Sequence, residues 1–198
     1  AAGAELRQGV TFEDVLKEGD RVTGIRGRLQ DGSAFTAHAK VVVGADGTHS
    51  RVARTVGADA YNESPKEAGS FNLYSYFTGV KLDGVEFYSR PQRMIYAWET
   101  NDGRSVIGVI QPGMAPRPAR ENMDAHFQSE LATLAPGLAE RVQAGRRDDD
   151  WLSGAIATFC RQAAGPGWCL VGDAGVTTDP ITAAGISNAL RDAELAAS

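Results

Sequence analysis

Only two of the 198 residues are cysteines, Cys160 and Cys169. Two cysteines give no disulfide framework, so packing must hold the fold, and a pair of reduced thiols in a cytoplasmic protein is expected. Long apolar runs are also missing. None approaches the roughly 20 residues of a membrane-spanning helix, and no signal-peptide pattern opens the chain. With 20 Lys and Arg against 25 Asp and Glu the net charge is −5. No basic block or aromatic–basic interleaving offers a surface to nucleic acid. Cys160, His38 and His126 have no metal-ligand spacing with any partner, so no zinc or iron site is expected. Internal repeats and low-complexity segments are absent as well.

What is present suits a globular protein: 42% hydrophobic and 23% charged residues, in a chain able to bury a real core as one domain or two small ones. Residues 10–16 read as a strand. Residues 21–29 and 34–40 flank Gln30-Asp31-Gly32-Ser33, an Asp-Gly hairpin signal. The run 41–44 is continuously apolar, as in a buried parallel sheet, and Thr48 or Ser50 can cap a short helix carrying Val52 and Val56. From about Tyr61 the pattern changes. Phe71, Leu73, Ser75 and Phe77 alternate with Asn72, Tyr74 and Tyr76, the period of a strand. Turn signals around Gly84 and Gly103 separate 85–88, 93–98 and 105–110, which predicts an antiparallel meander. After a proline-rich link, Met123, Phe127, Leu131 and Leu134 mark one face of a helix stopped by Pro136-Gly137, and Leu138 and Val142 suggest a second short helix.

The stretch 168–197 carries the most chemistry. Cys169, Leu170 and Val171 form a short buried strand that ends at Gly172 and Asp173. A loop closed by Asp179 and Pro180 follows. A helix then places Ile186, Ala189, Leu190, Ala193 and Ala197 at helical spacing. Such a strand–Gly-Asp–loop–helix sets one carboxylate and one helix N-terminus around a single ligand: the carboxylate suits a polyol hydroxyl, the helix start suits negative charge. Ala183, Ala184 and Gly185 leave the helix start open to something large and flat. This segment resembles the FAD-binding "GD" motif of the p-hydroxybenzoate hydroxylase-like flavoproteins, whose relatives include flavin halogenases and geranylgeranyl reductases. The run Val41-Val42-Val43-Gly44-Ala45-Asp46-Gly47-Thr48-His49-Ser50-Arg51-Val52-Ala53-Arg54 resembles the same family's "DG" motif. The family's Gly-x-Gly-x-x-Gly turn is not found: Gly24-Ile25-Arg26-Gly27 lacks the first glycine, and Gly165-Pro166-Gly167 precedes a strand. The chain also opens on Ala-Ala-Gly, so it is expected to be a portion of a larger flavoprotein.

The resemblance implies an α/β (α+β) fold: an incomplete three-layer FAD-binding domain over 1–60 and 151–198, with an antiparallel-sheet substrate domain inserted at 61–150, its inner face over the flavin ring. It implies FAD as cofactor and NAD(P)H as reductant. Asp173, with Gly172 before it, would bind ribityl or ribose hydroxyls. Pro180, Ala184, Gly185 and Ile186 would lie against the isoalloxazine, and Asp46, Gly47 and Arg51 would sit near the pyrophosphate. Each has a plainer reading from the residues alone: Asp173 as a cap or Asx turn, Pro180 as a fixed turn, Gly185 as a packing glycine, Arg51 as a bridge to Asp46. Asp192 reads as a solvated or packing residue, and His49 as a structural one. Tyr74, Tyr76, Tyr96 and Trp98 could line a substrate cavity or form cross-strand pairs. No residue stands out as a general acid, base or nucleophile, as expected where a cofactor supplies the reactivity. The activity implied is a monooxygenase using NAD(P)H and O2 on an apolar or aromatic small molecule. A flavin halogenase and a prenyl (geranylgeranyl-type) reductase are the alternatives within the class, and a non-catalytic fragment unable to hold FAD alone is the alternative outside it.

Overall fold

The structure is a computed structural model that describes residues 3–61, 69–155 and 157–198, so positions 62–68 of the expected inserted domain lie outside the described residues. The fold is mixed α/β. In chain order its first half holds β1 (Val10–Glu18), β2 (Arg21–Leu29), β3 (Ala34–His38), β4 (Val42–Gly44), α1 (Arg51–Val56), β5 (Ala60–Tyr61), β6 (Ser70–Thr78), β7 (Glu86–Arg90) and β8 (Arg93–Glu99). There follow β9 (Arg104–Pro112), α2 (Met123–Leu134), α3 (Pro136–Ala144), β10 (Arg146–Arg147), β11 (Leu152–Ala155), β12 (Phe159–Arg161), β13 (Ala164–Gly165), β14 (Trp168–Leu170), β15 (Val176–Thr177) and α4 (Gly185–Ala197). The chain divides into two units. The first holds Ala1–Glu63, Thr158–Thr178 and Ala183–Ser198, the second Ser64–Ala157 and Asp179–Thr182.

In the first unit β1, β2 and β3 form an antiparallel sheet in that order. The β2–β3 turn is fixed by Asp31, whose carboxylate accepts from the backbone and hydroxyl of Ser33. Next to this sheet β4 pairs in parallel with β14, Val42 opposite Trp168 and Gly44 opposite Leu170. Val15, Val22, Val42, Val52, Trp168 and Leu170 close one core around them. A three-stranded sheet of β5, β12 and β15 completes the unit.

The second unit is built on a six-stranded sheet in which β6, β9, β8 and β7 lie side by side and β10 and β11 both add to the free edge of β6. The strand alternation selects its two faces. Phe71, Leu73, Phe77, Ile95, Ile107 and Val109 meet Phe127, Leu131, Leu138 and Val142 of α2 and α3 in the main core. Each such burial contributes about 1.5–3 kcal/mol. Ser75, the polar residue of that face, donates to the Asp149 carbonyl at 2.9 Å. Pro136 both stops α2 and occupies the first turn of α3, where its missing N–H costs nothing. One difference from the expected meander is topological. β7, β8 and β9 are consecutive hairpins, but β6 pairs with β9 and not with β7. The reason lies in burial: β6 alternates buried and half-buried along its length and needs neighbours on both edges, whereas β7 is exposed enough to end the sheet.

Candidate functional site

Parallel pairing of β4 with β14 brings the two motifs together. Both strands point the same way, so the loop after Gly44 and the loop after Leu170 leave from the same end of the sheet, the end where open α/β folds bind ligands. The Val171 N–H donates to the Gly44 carbonyl at 3.0 Å, extending the pairing into the loops. Thr48 Oγ1 makes a long contact of 3.4 Å to Asp173. Arg161, on β12, ties the loops most firmly: its guanidinium donates to the Ala174 carbonyl at 2.9 Å and the Thr48 carbonyl at 3.1 Å. The same group lies over the Phe159 ring, 4.3 Å from its centre. Sequence reasoning missed Arg161, because nothing local marks an arginine whose partners are carbonyls 13 and 113 positions away.

Within this pair of loops the acidic residues divide their work. Asp46 turns back on its own chain. Its carboxylate accepts from the Ser50 hydroxyl and from the backbone N–H groups of Arg51, at 2.6 Å, and Val52, at 3.1 Å. Burial pushes its pKa up, but these hydrogen bonds outweigh that and hold it below the usual carboxylate range. Ser50 in turn accepts from the Ala53 N–H at 2.9 Å as the N-cap of α1. The Arg51 side chain does not bridge to Asp46: its guanidinium donates to the Phe12 carbonyl at 3.2 Å and is otherwise exposed. Gly47 stands at φ +76°, with open space where a Cβ would point.

Asp173 is the opposite case. It is exposed, and among the described residues its carboxylate has only the long Thr48 contact and remains open to accept. Gly172 before it is buried at φ +58°, and a Cβ there would come within 3.1 Å of Ala189 on α4. Its N–H donates to the Asp192 carboxylate at 2.9 Å, which pins α4 onto the turn. Asp192 thus has a definite structural partner. The start of α4 carries no side-chain cap. Ala183 sits in the left-handed region at φ +51°, Ala184 is the N-cap residue, and nothing lies within 4 Å of where a Gly185 Cβ would be. The turn that α4 packs against thus carries an open carboxylate, and α4 itself begins uncapped; a carboxylate suits a ligand's hydroxyls, and a free helix start suits electron-rich or anionic character.

The face that α4 packs differs from the expected one. Asn188, Ala189 and Asp192 are half-buried, whereas Ile186 and Leu190 are exposed by 79% and 69%. The small Ala189 side chain permits the close approach to Gly172, and so decides which face turns inward. Pro180 lies in the Asp179–Thr182 segment of the second unit, and the other expected cofactor residues belong to the first.

Tyr74, Tyr76, Tyr96 and Trp98 share one face of the six-stranded sheet, the face opposite α2 and α3. Tyr74 and Tyr96 both stand opposite Gly108 of β9, and Tyr76 and Trp98 both stand opposite Val106. Tyr96 and Trp98 stack with centres 4.8 Å apart. The Tyr96 ring lies across Gly108, where a Cβ would fall 2.2 Å from it. Its hydroxyl exchanges hydrogen bonds with the Asn72 amide at 3.1–3.2 Å. Burial pushes its pKa up to about 12. Tyr96 is buried, and the other three aromatics are half-exposed. Among the described residues no cluster of His, Cys, Asp or Glu could hold a metal ion, and no helix is long and apolar enough to cross a membrane.

Comparison with known proteins identifies the family and the fold. The model of the FAD binding domain family matches residues 1–198. The chain is 26% identical over 202 residues to a digeranylgeranylglycerophospholipid reductase of Methanocella arvoryzae, covering 98% of this chain and 48% of that protein. It is 29% identical over 203 residues to the enzyme of the same name from Methanosarcina acetivorans, covering 98% and 47%. Among solved structures, the flavin-dependent brominase Bmp2 superposes with a TM-score of 0.77 over 92% of this chain and 47% of that one, and at 23% identity the likeness is one of fold. The chain spans about half the length of the curated relatives it matches.

Proposed function

Because the chain belongs to the FAD binding domain family, we propose that it forms the greater part of the flavin site of an FAD-dependent oxidoreductase. The observation that carries this reading is the pair of loops at the end of β4 and β14, clamped by Arg161 with the Asp173 carboxylate left open. FAD, when bound, supplies the redox chemistry. In this chain Asp173 accepts hydrogen bonds from its sugar or ribityl hydroxyls. The uncapped start of α4, through Ala184, Gly185 and Ile186, favours negative charge beside it. Gly47 leaves room for close backbone approach, and Arg51, already exposed, is placed to neutralise phosphate. Asp46 acts one step removed, by holding α1 and its loop in place.

NAD(P)H is the reductant and O2 the co-substrate in the reading we favour, a monooxygenase acting on an apolar or aromatic small molecule. The aromatic sheet face around Tyr96 supports it, since stacked rings with one buried hydroxyl suit a flat apolar ligand better than a charged one. A second reading, reduction of prenyl double bonds, is supported by the two reductases named above. A single experiment separates them: the flavin-loaded protein is given NADPH in air while flavin absorbance and dissolved oxygen are followed. A monooxygenase bleaches and recovers with oxygen uptake that substrate accelerates. Saturation of a prenyl substrate with no oxygen consumed selects the reductase, and a chain that takes up no flavin selects the remaining alternative, a fragment unable to hold FAD alone.

A further inference from the structure

The second unit holds a cavity of about 390 Å³ at the end of the six-stranded sheet, within the size range of small-molecule sites. It opens where Ser70 of β6 pairs with Pro112 of β9, beside the β7–β8 turn that carries Gln92. Pro112, Met114 and Ile181 give it apolar walls. Among the described residues its charge comes from Asp179 alone, because none of the lysines or arginines among them lines it. Asp179 is half-buried and pinned in place. One carboxylate oxygen accepts from the Ser70 hydroxyl at 2.7 Å and the other from the Ile181 N–H at 3.0 Å. Each oxygen keeps an unused lone pair, and the next residue, Pro180, has no N–H to offer.

We propose that this cavity binds a small apolar molecule bearing an O–H or N–H donor, such as a phenol, an alcohol or an amine, and that Asp179 is the group that selects it. A fixed carboxylate with no cation beside it among the described residues rewards a donor and repels a carboxylate or phosphate, which would set two like charges side by side. The inference deepens the substrate class proposed above and rests on that reading, although binding itself needs no flavin.

The three methionines make the test direct. Met114 lines the cavity and is 80% exposed, whereas Met94 is buried and Met123 packs against the main core. With methionine methyls labelled by carbon-13, the chain is titrated with phenol, benzylamine and benzoate. Phenol and benzylamine are expected to move the Met114 signal alone and to bind about tenfold or more tighter than benzoate. Asp179→Asn should remove that preference. Equal responses to all three probes, movement at Met94 or Met123 instead, or no movement overturns the proposal. The selectivity of the unaltered chain decides the question even if Asp179→Asn fails to fold. A parallel FAD titration keeps the two readings apart: flavin binding without probe selectivity removes only this pocket, and selectivity without flavin binding removes only the flavin site.

Discussion

At the scale of single residues, the firmest electrostatic feature lies away from the candidate site. Arg141 of α3 holds Glu86 of β7 through two parallel hydrogen bonds of 2.7 Å. That guanidinium is the main reason the Glu86 pKa falls from 4.5 to about 2, with burial opposing it and the Tyr88 hydroxyl assisting. Because the folded value is the lower one, the stabilisation is complete above the unfolded pKa and is lost as pH falls from about 4.5 toward about 2. Glu86→Gln should therefore flatten the acid limb of a pH–stability curve in that window and cost about 2 kcal/mol at neutral pH. An unchanged acid limb would remove the pair from the account. Gly108→Ala tests the aromatic face: the added Cβ meets the Tyr96 ring, so a loss of about 1–3 kcal/mol in denaturant unfolding is expected. The alternation of Tyr74 and Tyr76 was visible in sequence. That Tyr96, two strands from Tyr74, would lie across the glycine between them was not, because strand order decides it.

Elements show the same division between what is local and what is not. α2 and α3 were legible from Phe127, Leu131, Leu138 and Val142, since a helix with one apolar stripe declares its own inward face. α4 was legible as a helix, but its inward face was not. The larger apolar residues Ile186 and Leu190 point outward, and a contact between Ala189 and Gly172 sets the orientation. Replacing Leu190 with Gln should accordingly change the thermal stability of this chain by less than about 0.5 kcal/mol. Gly172→Ala, at φ +58° and against Ala189, should cost about 1–2 kcal/mol. Equal effects of the two substitutions would mean that α4 packs another way. Arg161 belongs at this scale as well, because it joins a strand to two loops. Arg161→Gln should loosen those loops and weaken FAD binding about tenfold while Asp173 is untouched, whereas unchanged affinity would reduce it to a packing residue.

For the whole molecule, the two motifs, the mixed α/β class and the presence of an antiparallel sheet could all be read from the chain, because each rests on a contiguous pattern. What joins the motifs could not be read. The β4–β14 register, the Arg161 clamp and the division of labour between Asp46 and Asp173 all depend on contacts spanning more than a hundred residues or on which way a carboxylate turns. The account's central claim is that these joined loops are a flavin site in which Asp173, and not Asp46, meets the ligand. Asp173 suits a direct test, since it is exposed and bonds weakly within the fold, so its removal should leave the structure standing. The measurement is a fluorescence titration of FAD with this chain and with Asp173→Ala. Saturable quenching that weakens about tenfold or more in the variant, at unchanged thermal stability, is the predicted result. Equal affinity in the two proteins, or no saturable binding by the unaltered chain, would contradict it.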